Sequence, residues 1–199
     1  MTWMNPLFAA IAFLLPSALA AQHFEDILPQ TLPVALDESD PERTEVGELI
    51  YRGGLKIEPG EEEIGGISGL EWFEGALWAV SDNGRWLKIV PDESNAQLLD
   101  LYSIDMGPLL DRDGKKLKRN EQTDAEAITR FPSGGWAVAF ERNHRSLRYN
   151  PLTEPARIEV TDGLDKLGAL GPNEGVETYA TNSEGGVLCA ERHSAGEAN

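Results

Sequence analysis

A hairpin-like segment that occurs three times constrains this chain more than any other feature. The three copies are ISGLEWFEGALWAVSDNGRWLKI (67–89), TDAEAITRFPSGGWAVAFERNHRSLRY (123–149) and NEGVETYATNSEGGVLCAERH (173–193). Each opens on a polar residue, a small residue and an aliphatic-then-polar step: Ser68-Gly69-Leu70-Glu71, Glu126-Ala127-Ile128-Thr129 and Glu174-Gly175-Val176-Glu177. Each turns on glycine, at Gly75, Gly134-Gly135 and Gly185-Gly186, and continues through a second apolar run. The closing clusters are Asp82-Asn83-Gly84-Arg85, Glu141-Arg142-Asn143-His144 and Glu191-Arg192-His193. Short apolar runs punctuated by Gly, Pro, Asn and Asp read as strands and tight turns. The starting residues Ser68, Glu126 and Glu174 lie 58 and 48 residues apart. A multi-strand unit repeating every ~40–50 residues is the sequence sign of a propeller blade.

The predicted fold class is therefore all-β: a partial β-propeller with about three blades of a longer ring. Propellers close with four to eight blades, so the expectation is the front part of a longer protein. No segment sustains a helical stripe, and only 164–170 suggests a short helix or turn. The wider first spacing is explained by a polar insertion at 104–122, which contains Asp111-Arg112-Asp113-Gly114. It lacks the third acid and distal Glu of a calcium loop and is expected to be an Asp-Gly hairpin tip.

The stretch 7–19 is almost wholly apolar and is followed by the small-x-small site Ala18-Leu19-Ala20. This reads as a signal peptide over 1–20, although its first residues carry no Lys or Arg. It is shorter than the ~20 residues of a spanning helix. Export to the periplasm or medium is expected, with no membrane span after cleavage. Residues 21–45 read as an extended leader and 46–199 as the β domain.

The net charge of -17 disfavours nucleic acid and anionic membrane surfaces as partners and suits cation binding. The single cysteine, Cys189, excludes an intramolecular disulfide and is expected as a small core residue. Trp78, Trp86 and Trp136 are expected as blade-core packing. The chain contains no Gly-x-Ser-x-Gly elbow, and no zinc spacing, P-loop or dinucleotide fingerprint. Nothing in the sequence sets an oligomeric state.

In a blade, the hairpin end away from the glycine turn carries both the opening acid and the closing cluster. Glu126 and Glu141 are thus expected to be neighbours, as are Glu174 and Glu191, and more loosely Ser68 and Asp82. Stacked blades would bring these positions to one channel mouth. Hard carboxylate oxygens there suit Ca²⁺ or another divalent cation, with Asp82, Glu126, Glu174 and Glu177 as candidate ligands. Arg85, Arg142 and Arg192 are candidates for gripping a phosphate or carboxylate group of a substrate. Together they suggest metal-assisted hydrolysis of a small-molecule ester or phosphoester. Glu126, Glu141, Arg142 and His144 are the catalytic candidates, and His144 and His193 could carry protons. The same residues also read as salt bridges that register one blade against the next, with both histidines on exposed loops.

The motifs GGISGLEW, LWAVSDNGRW, PLLDRDGKKL, DAEAITRFPSGGWAVAFERNHRSLRY and NEGVETYA, in this order, resemble the bacterial "esterase-like activity of phytase" family, or phytase-like domain proteins. The resemblance runs over about residues 46–194. It implies an exported β-propeller of Gram-negative bacteria, with more chain than is present here, and activity on ester bonds. The positions matching family motifs are Asp82, Arg85, Asp124, Glu126, Glu141, Arg142, His144, Glu174 and Glu177. Many members carry Gly where Ala127 stands. Two alternatives stay open: a noncatalytic periplasmic propeller that binds a ligand or protein partner through the same mouth, and a lactonase-like hydrolase with one divalent ion on the axis.

Overall fold

The computed structural model describes residues 25–27, 30–58, 64–118, 122–160 and 176–191. The described residues form antiparallel strands and turns without a helix, so no helix among them is long and apolar enough to cross a membrane. The leader and the start of the domain supply β1 (Glu25–Ile27), β2 (Thr31–Pro33), β3 (Glu45–Val46), β4 (Leu49–Ile50) and β5 (Leu55–Ile57). The first repeat comprises β6 (Ile67–Phe73), β7 (Ala76–Ser81), β8 (Arg85–Ser94) and β9 (Gln97–Pro108). The second comprises β10 (Ala125–Arg130), β11 (Trp136–Phe140), β12 (Arg145–Tyr149) and β13 (Ile158–Val160), and the third contributes β14 (Val176–Thr181) and β15 (Val187–Glu191).

Each of the first two repeats is a four-strand meander. The sheet orders are β1-β9-β8-β7-β6 and β10-β11-β12-β13, with β14-β15 as a two-stranded sheet. β1 adds to the outer edge of the first meander, and β2 pairs with β5. Residues expected as an extended leader thus contribute strands that lie along the domain. Among the described residues no sheet closes on itself.

Turn chemistry explains why these hairpins form. Phe73 pairs with Ala76, which leaves Glu74 and Gly75 as a two-residue loop with φ of 50° and 75°. That is the left-handed pair a type I′ hairpin requires. The second and third hairpins share a longer turn. Phe131 N–H donates to Gly135 O and Gly134 N–H to Phe131 O; Asn182 N–H donates to Gly186 O and Gly185 N–H to Asn182 O. The insertion folds as the expected hairpin tip: Asp111 Oδ1 accepts from the backbone N–H of Asp113 and Lys115, and Leu110 bridges Lys116.

The hairpins stack through their first strands, β6 on β10 and β10 on β14. Gly69 permits the first contact. A Cβ there would lie 2.8 Å from Ile128 N and 2.9 Å from Ala127 Cα, closer than carbon can approach. Small residues at this repeat position therefore set how closely successive sheets pack. Between the first two sheets lies the main core, which includes Val80, Trp86, Ile128, Val138, Phe140 and Tyr149. Trp78 bridges Trp86 and Trp136, with ring centroids 6.2 and 5.1 Å away, as expected for the tryptophans. A smaller cluster of Ala127, Ala139 and Val176 joins the second sheet to β14. Across it Tyr179 OH bonds Ser146 Oγ at 3.2 Å, and Thr181 Oγ1 donates to Arg130 O at 2.7 Å.

Two expectations need correction. Cys189 is exposed rather than buried, and its neighbour Leu188, which points to the opposite face of the strand, is 70% exposed. The phase of the third repeat is also different. Each hairpin has a bulge in the same register, between Ile67 and Gly69, Ala125 and Ala127, and Val176 and Thr178. The bulged residues are Ser68, Glu126 and Glu177. The third-hairpin counterpart of Glu126 is therefore Glu177, not Glu174. A bulge and a glycine turn fix register more strictly than a Glu followed by a small residue. Glu174, Arg192, His193 and the suggested turn at 164–170 lie outside the described residues.

Candidate functional site

The bulge end of the second hairpin holds the site. Ala125 pairs with Phe140 and Ala127 with Ala139, which leaves Glu126 as the extra residue on β10. Asp124 precedes the strand and Glu141 follows β11. Glu141 N–H donates to Asp124 O at 2.8 Å, and Asn143 N–H donates to Glu141 O at 2.6 Å. These bonds bring the two ends of the hairpin together. One carboxylate oxygen each from Asp124, Glu126 and Glu141 lies within 4.8 Å of the others. Glu141 is 7% exposed, and the other two are partly buried.

Arg142 sits beside them. Its Nε donates to Asp124 Oδ2, and its backbone takes a left-handed φ of 58°, uncommon for a long side chain. The Asp124 carboxylate raises the Arg142 pKa above its ordinary value, and Glu141 and Glu126 push the same way. Half of the Arg142 side chain stays exposed. His144 follows in the same turn; its Nδ1 is buried and has no hydrogen-bond partner among the described residues.

The first hairpin repeats this backbone with other side chains. Asp82 N–H donates to Gly66 O at 2.9 Å, the counterpart of the Glu141–Asp124 bond. In this register Gly66, Ser68 and Asp82 stand where Asp124, Glu126 and Glu141 stand. A Cβ on Gly66 would fall 2.0 Å from Asp82 Oδ1, so the Asp82 carboxylate occupies the space beside it. Only one acid of the three remains there, and Asp82 is not part of the trio.

Of the residues singled out from the sequence, Asp124, Glu126, Glu141 and Arg142 come together. Arg85 lies at the start of β8, with Nη1 3.5 Å from Met106 Sδ. Its counterpart in strand register is Arg145, opposite Phe140, just as Arg85 begins the third strand of its own sheet. Sequence reasoning passed over Arg145, although an arginine opening the third strand of both meanders was the signal. Glu177 occupies the bulge of β14; Glu174 and Arg192 are outside the described residues.

The trio offers three hard oxygen donors, with the Arg142 guanidinium bonded to Asp124. This donor set fits Ca²⁺ or Mg²⁺, with further oxygen ligands from water or substrate needed to complete six or more. The fold and site define an antiparallel β-repeat protein whose second hairpin gathers carboxylates at its open end. The chain belongs to the phytase-like family: the family described as esterase-like activity of phytase matches residues 62–198. No curated protein and no solved structure matches it.

Proposed function

We propose that this chain is an exported hydrolase of ester or phosphoester bonds, built as a β-propeller, in which Asp124, Glu126 and Glu141 hold a divalent cation. The observation that carries this reading is the approach of the three carboxylates to within 4.8 Å of one another. The propeller reading is supported by two four-strand meanders and a third hairpin stacked through their first strands. Export rests on the apolar 7–19 run and on Ala18-Leu19-Ala20.

When bound, the cation supplies Lewis acidity and a more acidic water. The chain's residues do the rest. Glu141, held by backbone bonds and buried, fixes the position of the cluster. Arg142, half exposed and already drawn toward these acids, is placed to meet an anionic group of the substrate. Its ion pair with Asp124 engages Nε, and the two Nη groups carry the donors for such a contact. Burial of His144 Nδ1 leaves the other ring nitrogen as the one to exchange a proton with a water or leaving group.

The test is hydrolysis of p-nitrophenyl acetate, p-nitrophenyl phosphate and a simple lactone, with Ca²⁺ or with EDTA, by the wild type and by Glu126→Gln and Glu141→Gln. Metal-dependent turnover of an ester or phosphoester, lost in both folded variants, supports the proposal. Lactone opening alone points to the lactonase-like alternative. Metal binding without turnover on any substrate points to the noncatalytic binding propeller.

A further inference from the structure

We propose that the groove between the insertion hairpin and strands β12 and β13 binds a small oxyanion, a carboxylate or phosphate group, through Arg145. The groove has a volume of about 750 Å³. Its lining includes Arg112, Arg145, Arg157, Asp111, Asp113 and Glu159. It does not include the carboxylate trio, and the inference does not depend on the hydrolase reading.

Arg145 is only 4% exposed. Nη1 donates to Asn143 O at 3.0 Å and Nη2 to Gln122 O at 2.7 Å. The guanidinium lies over Phe140, 4.2 Å from the ring centroid. A guanidinium carries five N–H donors, so these two carbonyls leave donors unspent. No carboxylate among the described residues forms an ion pair with it. Burial of a cation without a touching counter-charge is unfavourable, and burial indeed lowers the Arg145 pKa, opposed by the more distant Glu159 and by Tyr149.

The other charges of the groove are mostly committed. Asp111 Oδ1 accepts two backbone N–H groups. Asp113 pairs with Lys115 at 3.5 Å, and Arg157 with Glu154 at 3.6 Å. Arg145, Arg112 and Glu159 line the groove and form no ion pair with one another. Glu159 lies opposite Leu147 in the β12–β13 register, on the rim of the groove. An oxyanion that presents two oxygens fits the forked donors of an arginine and supplies the charge that the buried cation lacks; Glu159, Asp111 and Asp113 are the carboxylates in the same lining.

The experiment is calorimetric titration of the full chain with inorganic phosphate and, separately, with acetate, in EDTA so that an anion held by a metal does not contribute. Glu159→Gln and Arg112→Gln change exposed residues and are expected to leave the fold intact. The proposal expects saturable binding of at least one anion to the wild type, about three- to tenfold tighter in Glu159→Gln and about three- to tenfold weaker in Arg112→Gln. Arg145→Lys, checked for folding by circular dichroism, is expected to weaken binding further, because the fork is lost while the charge stays. Preference for phosphate or for acetate then identifies the source of the oxyanion. Failure of both anions to bind, or binding that neither exposed substitution alters, overturns the proposal whatever the fate of the Arg145 variant.

Discussion

Glu141 combines two properties rarely found together in a carboxylate: it is almost fully buried, and it stands beside two other acids. A cation at the trio would relieve that crowding. Calcium is therefore expected to stabilise the wild type by about 2.7 kcal/mol at a hundredfold excess over Kd, and Glu141→Gln is expected to lose most of this gain. Thermal denaturation with and without Ca²⁺ measures it; equal shifts in both proteins would exclude Glu141 as a ligand. Tyr149 offers a second test. Its hydroxyl is buried without a hydrogen-bond partner among the described residues, and burial raises its pKa well above the ordinary value. A raised acid stays protonated in the folded state while the unfolded chain ionises near pH 10. The stability contribution is thus complete below about pH 10 and is lost above it, by about 1.4 kcal/mol per pH unit for this one group. Tyr149→Phe should flatten that slope and stabilise the protein by about 1 kcal/mol at neutral pH, because a buried unsatisfied hydroxyl disappears. Urea denaturation of both proteins at pH 8 and pH 11 decides the matter.

The decisive contact between elements is β6 against β10. Gly69→Ala would force a methyl group into the Ala127–Ile128 backbone, which cannot yield as a side chain tip can. A loss of about 2 kcal/mol is expected, within the usual range for overpacking, with denaturant unfolding as the readout. Gly75→Ala probes a different effect: no heavy atom stands near its would-be Cβ, but its φ is +75°, so any loss there reports backbone strain alone. Much of this level was legible in the sequence. The glycine turns, the alternating strands and the insertion hairpin follow from neighbouring residues and appear where expected. The phase of the third repeat was not legible, because Glu174-Gly175 imitates Glu126-Ala127 while the bulge that defines the register is recorded only in strand pairing. The exposure of Cys189 was equally hidden: an apolar run marks a strand, but only the neighbouring sheets determine which face is covered.

Across the whole molecule, a net charge of -17 opposes compaction. Raising NaCl from about 10 to 150 mM shortens the screening length from about 30 to 8 Å and is expected to raise the melting temperature. A fall in melting temperature over that range would mean that attractive ion pairs outweigh the net repulsion. Large apolar side chains also remain exposed on the outer faces of the first and third hairpins, Leu70 and Trp72 on one and Leu188 on the other. The counterpart of Leu70 in the second hairpin, Ile128, is buried in the core between the first two sheets.

By itself the sequence determined the strands, the turns, the threefold recurrence and the family, because alternation, glycine conformation and motif order act over short stretches of chain. It also pointed to Glu126, Glu141 and Arg142, since a hairpin necessarily joins its two open ends. Only the tertiary structure decided that Asp124 completes the trio, that Asp82 stays out of it, and that Arg145 is buried beside a groove. Those outcomes depend on a bulge, on one close backbone contact at Gly69 and on an insertion folding over a sheet edge. Each is an approach through space between residues whose separation along the chain carries no trace of it.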